Sequence, residues 1–334
     1  MPVTIREAMY YKEIGNNVFQ CELCPHYCVI PPNEQGKCRS RENLNGRLWA
    51  VNYAHAAGIA EDPIEKKPLY HFRPGSKILS LGPNSCNLNC RWCQNYEISQ
   101  LEIETINLNI SDLYSLLLKS NPATMQIAFT YSEPLTWYEY ILDFATQNPD
   151  AKIVLVSNGF INPEPLARLL PHIAAMNVDL KGITDSLYRD YCGGNLAAVK
   201  SSIRQIYAAG VHLELTLLLI PGLNDNEEEL VELVDFVASI NREIPLHISA
   251  YHPAYKMSTP PTSYEDIARA RNIALQKLDY VYGGNLLQND FRDTRCPVCK
   301  ELLIRRSLQH CESHILEDGK CPACGKKIYG IYDQ

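Results

Sequence analysis

Cys86, Cys90 and Cys93 stand in the run Ser85-Cys-Asn-Leu-Asn-Cys-Arg-Trp-Cys-Gln-Asn95, three thiols with gaps of three and two residues. Structural zinc takes four protein ligands in a closed tetrahedron, and an iron–sulfur cluster on four cysteines has a protein ligand at every iron. Three local cysteines leave one iron open. An open iron can bind a substrate or cofactor, so this spacing points to chemistry rather than stapling. A zinc knuckle completed by a distant ligand is the other reading of the same thiols.

Two further groups of thiols flank this loop. Cys296-Pro-Val-Cys299 and Cys321-Pro-Ala-Cys324 are rubredoxin-like knuckles separated by a hairpin-sized insert, the pattern of a four-cysteine zinc ribbon with a structural role. His310 and Cys311 lie inside the insert as competing ligands. Cys21, Cys24, Cys28 and Cys38 form an N-terminal tetrad whose irregular spacing fits zinc or an auxiliary iron–sulfur cluster. Cys24-Pro25 and Gly36-Lys-Cys38 read as knuckle turns, which favours zinc. Of the 13 cysteines only Cys192 and Cys311 then stand outside a group. Cys192, in Tyr-Cys-Gly-Gly, reads as a buried, inert thiol, with hydrogen donation near a radical as its alternative.

A chain of 334 residues, 46% apolar and 21% charged, can bury one large core with appendages. Met1 to Tyr10 holds no cationic stretch followed by an apolar one, and the longest apolar run, Leu213 to Ile220, is too short to cross a bilayer. The expected location is the cytoplasm, without membrane attachment; paired cysteines there favour metal binding over disulfides. The net charge of −7 argues against broad nucleic-acid binding. Arg305-Arg306 and Lys326-Lys327 read as a solvated basic surface.

Positioning these groups requires a scaffold. From Lys77 onward, short β-rich runs alternate with amphipathic segments, as in βα units around a parallel sheet. The runs are Ile78–Leu81, Met125–Thr130, Ile153–Ser157, Asn177–Leu180, His212–Leu219, Leu246–Ala250 and Tyr280–Tyr282. Leu196, Val199, Ile203 and Ile206 recur at helical spacing, as do Leu230, Leu233, Val234 and Val237. Ser263 with Asp266 reads as a helix cap. The expected fold is α/β, a partial (β/α)6 TIM-like barrel over residues 76–290. A Cys-rich segment, 1–75, precedes it and a ribbon, 291–334, follows; Arg73-Pro74-Gly75 and Asn289 to Asp293 mark the boundaries.

In such a barrel the reactive groups gather at the C-terminal ends of the strands. Four consecutive strand ends carry suggestive residues: the cysteine loop, then Tyr131-Ser-Glu-Pro134, Ser157-Asn-Gly159 and Asp179-Leu-Lys-Gly182. His247, His252, Tyr255 and Lys256 end the sixth strand and could face a substrate.

Cys-x3-Cys-x-aromatic-Cys, with Trp92 at the aromatic position, resembles the cluster loop of radical S-adenosylmethionine (SAM) enzymes. The segment from Asp62-Pro-Ile-Glu-Lys-Lys-Pro-Leu-Tyr-His71 through Cys-Gln-Asn-Tyr-Glu-Ile-Ser-Gln100 resembles the radical SAM member of the AmmeMemoRadiSam system. That group is itself similar to the activating enzymes of pyruvate formate-lyase, and the resemblance covers nearly the whole chain. It implies a [4Fe–4S] cluster on Cys86, Cys90 and Cys93, with SAM chelated at the open iron and Trp92 against the adenine. By the same resemblance Glu133 takes the SAM amino group, Ser157 and Asn158 the ribose, and Asp179 and Lys181 the carboxylate end. Tyr131 and Ser132 replace glycines of many relatives. Pro221-Gly-Leu-Asn-Asp225 fits an adenine-packing loop, or equally a turn with a helix cap. The implied reaction is reductive cleavage of SAM to a 5′-deoxyadenosyl radical that abstracts a substrate hydrogen. Implied partners are a reductant such as flavodoxin or ferredoxin, and Memo-like and AMMECR-like proteins. Glycyl-radical activation is the alternative substrate reading, and a non-catalytic zinc-ribbon or iron–sulfur protein the alternative class.

Overall fold

Strands that alternate large aliphatic with small or polar side chains build a sheet with two unlike faces, and this chain has eight of them in one sheet. A computed structural model describes residues 5–286, 290–307, 310–316 and 318–332. The strands are β1 (His55–Pro63), β2 (Lys77–Pro83), β3 (Gln126–Phe129), β4 (Lys152–Ser157), β5 (Ile173–Asp179), β6 (His212–Leu219), β7 (Leu246–Ala250) and β8 (Val281–Gly284). β2 to β8 lie in chain order and are parallel, while β1 pairs antiparallel with β2 and carries the short strand Ile106–Asn107 on its outer side. Each parallel connection contains a helix: α1 (Ile110–Ser120), α2 (Tyr138–Gln147), α3 (Pro163–Leu169), α4 (Leu196–Ala208), α5 (Glu227–Ile240) and α6 (Tyr264–Ala274). This is the expected partial (β/α)6 barrel, an open sheet with β8 at one edge.

One face packs on the helices. Leu79, Leu81, Phe129, Leu155, Met176 and Leu215 share a buried core with Val199, Ile203 and Ile206 of α4 and Leu230, Leu233 and Val237 of α5. Ser263 and Asp266 close the expected reciprocal cap on α6.

The other face is filled by the chain itself. Ile64, Leu69 and Phe72 lie on Ile78, Ala128, Val154 and Ala175. Next to them the buried Glu214 carboxylate accepts from the backbone N–H of Tyr70 at 3.0 Å and of His71 at 2.7 Å. It also bonds His212 and His247 at 3.0 and 2.6 Å. Burial opposes its ionisation, but the hydrogen bonds from the two imidazoles outweigh that and hold the carboxyl well below the usual range.

Two expectations change. The boundary near Arg73–Gly75 falls inside the barrel, because β1 is a sheet strand and residues 64–73 fill its interior; the Cys-rich segment ends before His55. The later boundary begins at Asn289, outside the described residues, and the ribbon's first strand is Thr294–Arg295. Arg306, read as solvated, is buried: it donates to Tyr70 O, Arg292 O and Thr294 Oγ1 and lies 4.3 Å over the Tyr70 ring. Arg305 stays exposed.

The ribbon packs Leu303, Ile304 and Ile328 on Tyr70, Tyr280 and Tyr282, and Ile331 bridges back to Phe72. At the other end, two three-stranded sheets between Arg6 and Ala50 dock on the core. There the buried Arg41 pairs with Glu139 of α2 at 2.7 Å. Among the described residues, no helix is long and apolar enough to cross a membrane.

Candidate active site

The four strand ends singled out from sequence meet at one cavity of about 530 Å³, whose lining includes Cys86, Cys90, Trp92, Cys93, Glu133, Ser157, Asn158, Asp179 and Lys181. β2 and β3 approach so closely that a Cβ on Gly82 would stand 2.0 Å from Thr130 O. That approach launches the cysteine loop over the cavity.

The loop is pinned along its length. Asn87 Nδ2 donates to Phe160 O at 2.7 Å, Asn89 N to Cys192 O at 2.8 Å and Arg91 N to Tyr191 O at 3.0 Å. Cys86 Sγ lies 3.8 Å from Asn158 Nδ2, and Cys93 Sγ 3.2 Å from Ser99 Oγ. Burial pushes the Cys86 and Cys93 thiols up. Cys90 is pulled down, first by a hydrogen bond from Cys192. Metal binding removes these protons. Trp92 is buried, its ring 6.4 Å from that of Tyr191.

Glu133 sits where β3 ends. Its Oε1 accepts from Leu135 N at 3.0 Å and Ser157 Oγ at 2.8 Å, and its Oε2 from Asn158 N at 2.8 Å. Burial pushes its pKa up to about 7 against the pull of those donors and of Lys181. Ser157 and Asn158 thus orient Glu133, and the Asn158 amide also holds Asn87 Oδ1 at 2.9 Å. Lys181 Nζ lies 2.9 Å from Asp179. Burial alone would lower that lysine, but Asp179, Cys90 and Cys192 outweigh it and keep the ammonium charged.

Tyr131 takes φ +70°, the left-handed conformation that glycine adopts freely. Its hydroxyl donates to Asp62 at 2.7 Å, its carbonyl accepts from Asn95 at 2.6 Å, and Lys67 Nζ lies 4.7 Å from its ring centroid. Lys67, itself buried, pairs with Asp62 at 2.6 Å. Nothing in the sequence marks Asp62 and Lys67 as site residues, since an aperiodic segment does not announce that it lies inside a barrel. Likewise nothing in the sequence links Cys192 to Cys90.

The weaker candidates separate. His247 is bound to Glu214; His252 is exposed, and Tyr255 stacks on Tyr96 at 5.0 Å beside the loop. In Pro221–Asp225, Gly222 N donates to Asp225, Asn226 caps α5, and Asn224 donates to Lys181 O at 2.9 Å. The segment therefore makes the turn and cap and steadies Lys181. A side groove of about 740 Å³ shares Lys66, Pro68, Ser249 and Asn285 with the cavity, and His310 and Cys311 line it.

Cys296, Cys299, Cys321 and Cys324 lie with their sulfurs within 4.8 Å of one another and could hold a metal ion. The Cys86 tripod does not close to that spacing. It opens instead on the cavity, a donor set that fits a cluster with one open iron better than a single closed ion.

The radical SAM superfamily matches residues 82–237. An uncharacterized protein of Methanocaldococcus jannaschii is 38% identical over 335 residues, covering 97% of this chain and 99% of that one. The pyruvate formate-lyase-activating enzyme of Clostridium pasteurianum is 21% identical over 175 residues, 50% of this chain and 72% of that one. Streptococcus suis SuiB bound to S-adenosylmethionine shares the fold at a TM-score of 0.50 and 14% identity, over 67% of this chain and 53% of that one. The matched span starts in the last residues of β2 and runs through most of α5, so it takes in the cysteine tripod and the strand ends around the cavity, and the chain belongs to the radical SAM superfamily.

Proposed function

We propose that this chain cleaves SAM reductively at the Cys86–Cys90–Cys93 loop and uses the resulting radical to take hydrogen from a substrate. The observation that carries this reading is the convergence of the tripod, Glu133, Ser157, Asn158, Asp179 and Lys181 on one cavity. A [4Fe–4S] cluster, when bound, supplies the electron for that cleavage. The chain's own residues do the positioning. Glu133 offers a carboxylate to the SAM amino group, Lys181 a cation to its carboxylate, and Trp92 an aromatic surface to the adenine. Residues 64–73 fill the barrel beneath the cavity and keep water from that side. The four ribbon sulfurs suit zinc in a structural role.

The substrate reading rests on sequence likeness. The stretch from Asp62 to Gln100 favours work alongside Memo-like and AMMECR-like proteins in an AmmeMemoRadiSam system, with flavodoxin or ferredoxin as reductant. The Clostridium pasteurianum relative keeps glycyl-radical activation as the second reading. The test is anaerobic: reconstituted wild type with dithionite and SAM should yield 5′-deoxyadenosine, and Cys86→Ala should yield none. Cleavage by Cys86→Ala at the wild-type rate would sink the proposal. Deuterium from labelled candidates, appearing in 5′-deoxyadenosine, then identifies the hydrogen donor.

A further inference from the structure

Pockets for one drug-sized ligand run to roughly 300–1,000 Å³. One SAM on its cluster accounts for the cavity of about 530 Å³, so a substrate needs adjoining room. The N-terminal thiols Cys21, Cys24, Cys28 and Cys38 line a separate pocket of about 20 Å³, far too small to seat one. The side groove of about 740 Å³ has the size. It shares Lys66, Pro68, Ser249 and Asn285 with the cavity, which makes the two one continuous space. Glu61 and Asp62 of β1 line it together with Ser249 of β7 and Gly284 of β8, so the open sheet curls until β1 and β8 flank the same gap. Arg292, Arg306, His310 and Cys311, from the ribbon and the stretch leading into it, border the rest. A molecule in the groove touches barrel and ribbon alike.

The charges of the groove do not cancel. Lys77 pairs with Glu61 at 2.8 Å, and Glu65 has the Arg306 guanidinium 3.8 Å away. At the neck, however, one carboxylate serves two ammonium groups: Asp62 pairs with Lys66 at 2.8 Å and with Lys67 at 2.6 Å. Arg292 is half-buried, donates to the Leu286 carbonyl at 3.3 Å and pairs with no acid among the described residues. Each place is left with one surplus cation, in a chain whose net charge is −7. Cations that are merely solvated lie scattered on an open surface. These two border one cavity from different walls, and low-dielectric walls focus their field inside it. An arginine fork fits a carboxylate or phosphate through two parallel hydrogen bonds, and a lysine adds a point charge to the same group.

We propose that the groove is the substrate site, and that the substrate is a small molecule bearing a carboxylate or phosphate group held between Arg292 and Lys66. This rests on the reading of the adjoining cavity as a SAM site. The ribbon is then a wall of the substrate pocket as well as a staple.

The test is calorimetry on the whole chain, reconstituted anaerobically, with SAM present to occupy the first cavity. Inorganic phosphate and succinate are the probes, and putrescine is the cationic control. Wild type should bind one phosphate or one succinate per chain, more weakly as salt rises, and no putrescine. Which anion binds separates phosphate from carboxylate recognition. Arg292→Gln and Lys66→Gln should each weaken that binding about tenfold, while Arg292→Lys keeps part of it. The Lys66 side chain is mostly exposed, so its variant keeps the test decisive should Arg292→Gln fail to fold. Binding of neither anion, or equal binding by wild type and the glutamine variants, would overturn the proposal. Formation of 5′-deoxyadenosine is read on the same wild-type preparation. Its absence with anion binding intact would remove the SAM reading, whereas cleavage without anion binding would remove the groove assignment, so the two fail separately.

Discussion

Glu133 is a carboxylate held near neutrality until a donor arrives. Burial pushes it up to about 7 from the ordinary carboxyl value of 4.5. A raised acid favours the folded state most fully below that ordinary value, and the contribution is lost as pH climbs through about 7, because the ionised form is the one that burial penalises. A bound amino group reverses the preference. SAM affinity, measured anaerobically, should therefore weaken as pH falls from about 8 to about 6, the range over which Glu133 takes up its proton. Glu133→Gln should bind about tenfold more weakly at the upper pH, ~1.4 kcal/mol, with the slope flattened. Equal affinity and an unchanged slope would remove Glu133 from the SAM contact. This residue was legible from its strand-end position, and the hydrogen bonds through which Ser157 and Asn158 orient it were not. Those bonds join separate strand ends, which only the folded sheet brings together.

At the level of elements, the parallel strands were readable because their apolar runs are short and punctuated. Residues 64–73 were not, because Pro68 and His71 leave the stretch without a period, and a polar inner face made of Asn177, Glu214 and His247 has no counterpart in an apolar core pattern. Boundaries followed suit: a stretch assigned to the Cys-rich segment fills the barrel instead. The β2–β3 contact can be tested directly. A methyl at Gly82 meets the Thr130 backbone, which has no rotamer to escape into. Gly82→Ala should cost about 1–3 kcal/mol in thermal or denaturant unfolding and depress iron uptake at the tripod, since the loop springs from this strand. Unfolding unchanged from wild type would mean that the strands part without penalty.

For the whole molecule, the ribbon acts as a clamp. Cys296 and Cys321 are buried in the cluster that joins the ribbon to Tyr70, Tyr280 and Tyr282, so the four-cysteine group that could hold a metal and the interface share residues. Cys321→Ser should lose one zinc per chain and several degrees of melting temperature, while iron at the tripod stays at the wild-type level. Full zinc retention with unaltered melting would show that the ribbon needs neither this thiol nor its metal. The ribbon was legible because its ligand spacing is local. Its attachment was not, since Arg306 looks like surface charge until Tyr70 lies beneath it. That attachment is completed late in the chain: Ile331 pairs with Phe72, and the Tyr329 carbonyl and the Tyr332 hydroxyl both bond His71. On a ribosome, His71 and Glu214 emerge long before Tyr329 and Tyr332. A premature stop just ahead of Tyr329 would yield a polypeptide with every cysteine in place but its central carboxylate–imidazole knot unsealed, and cellular proteases would meet it in that state.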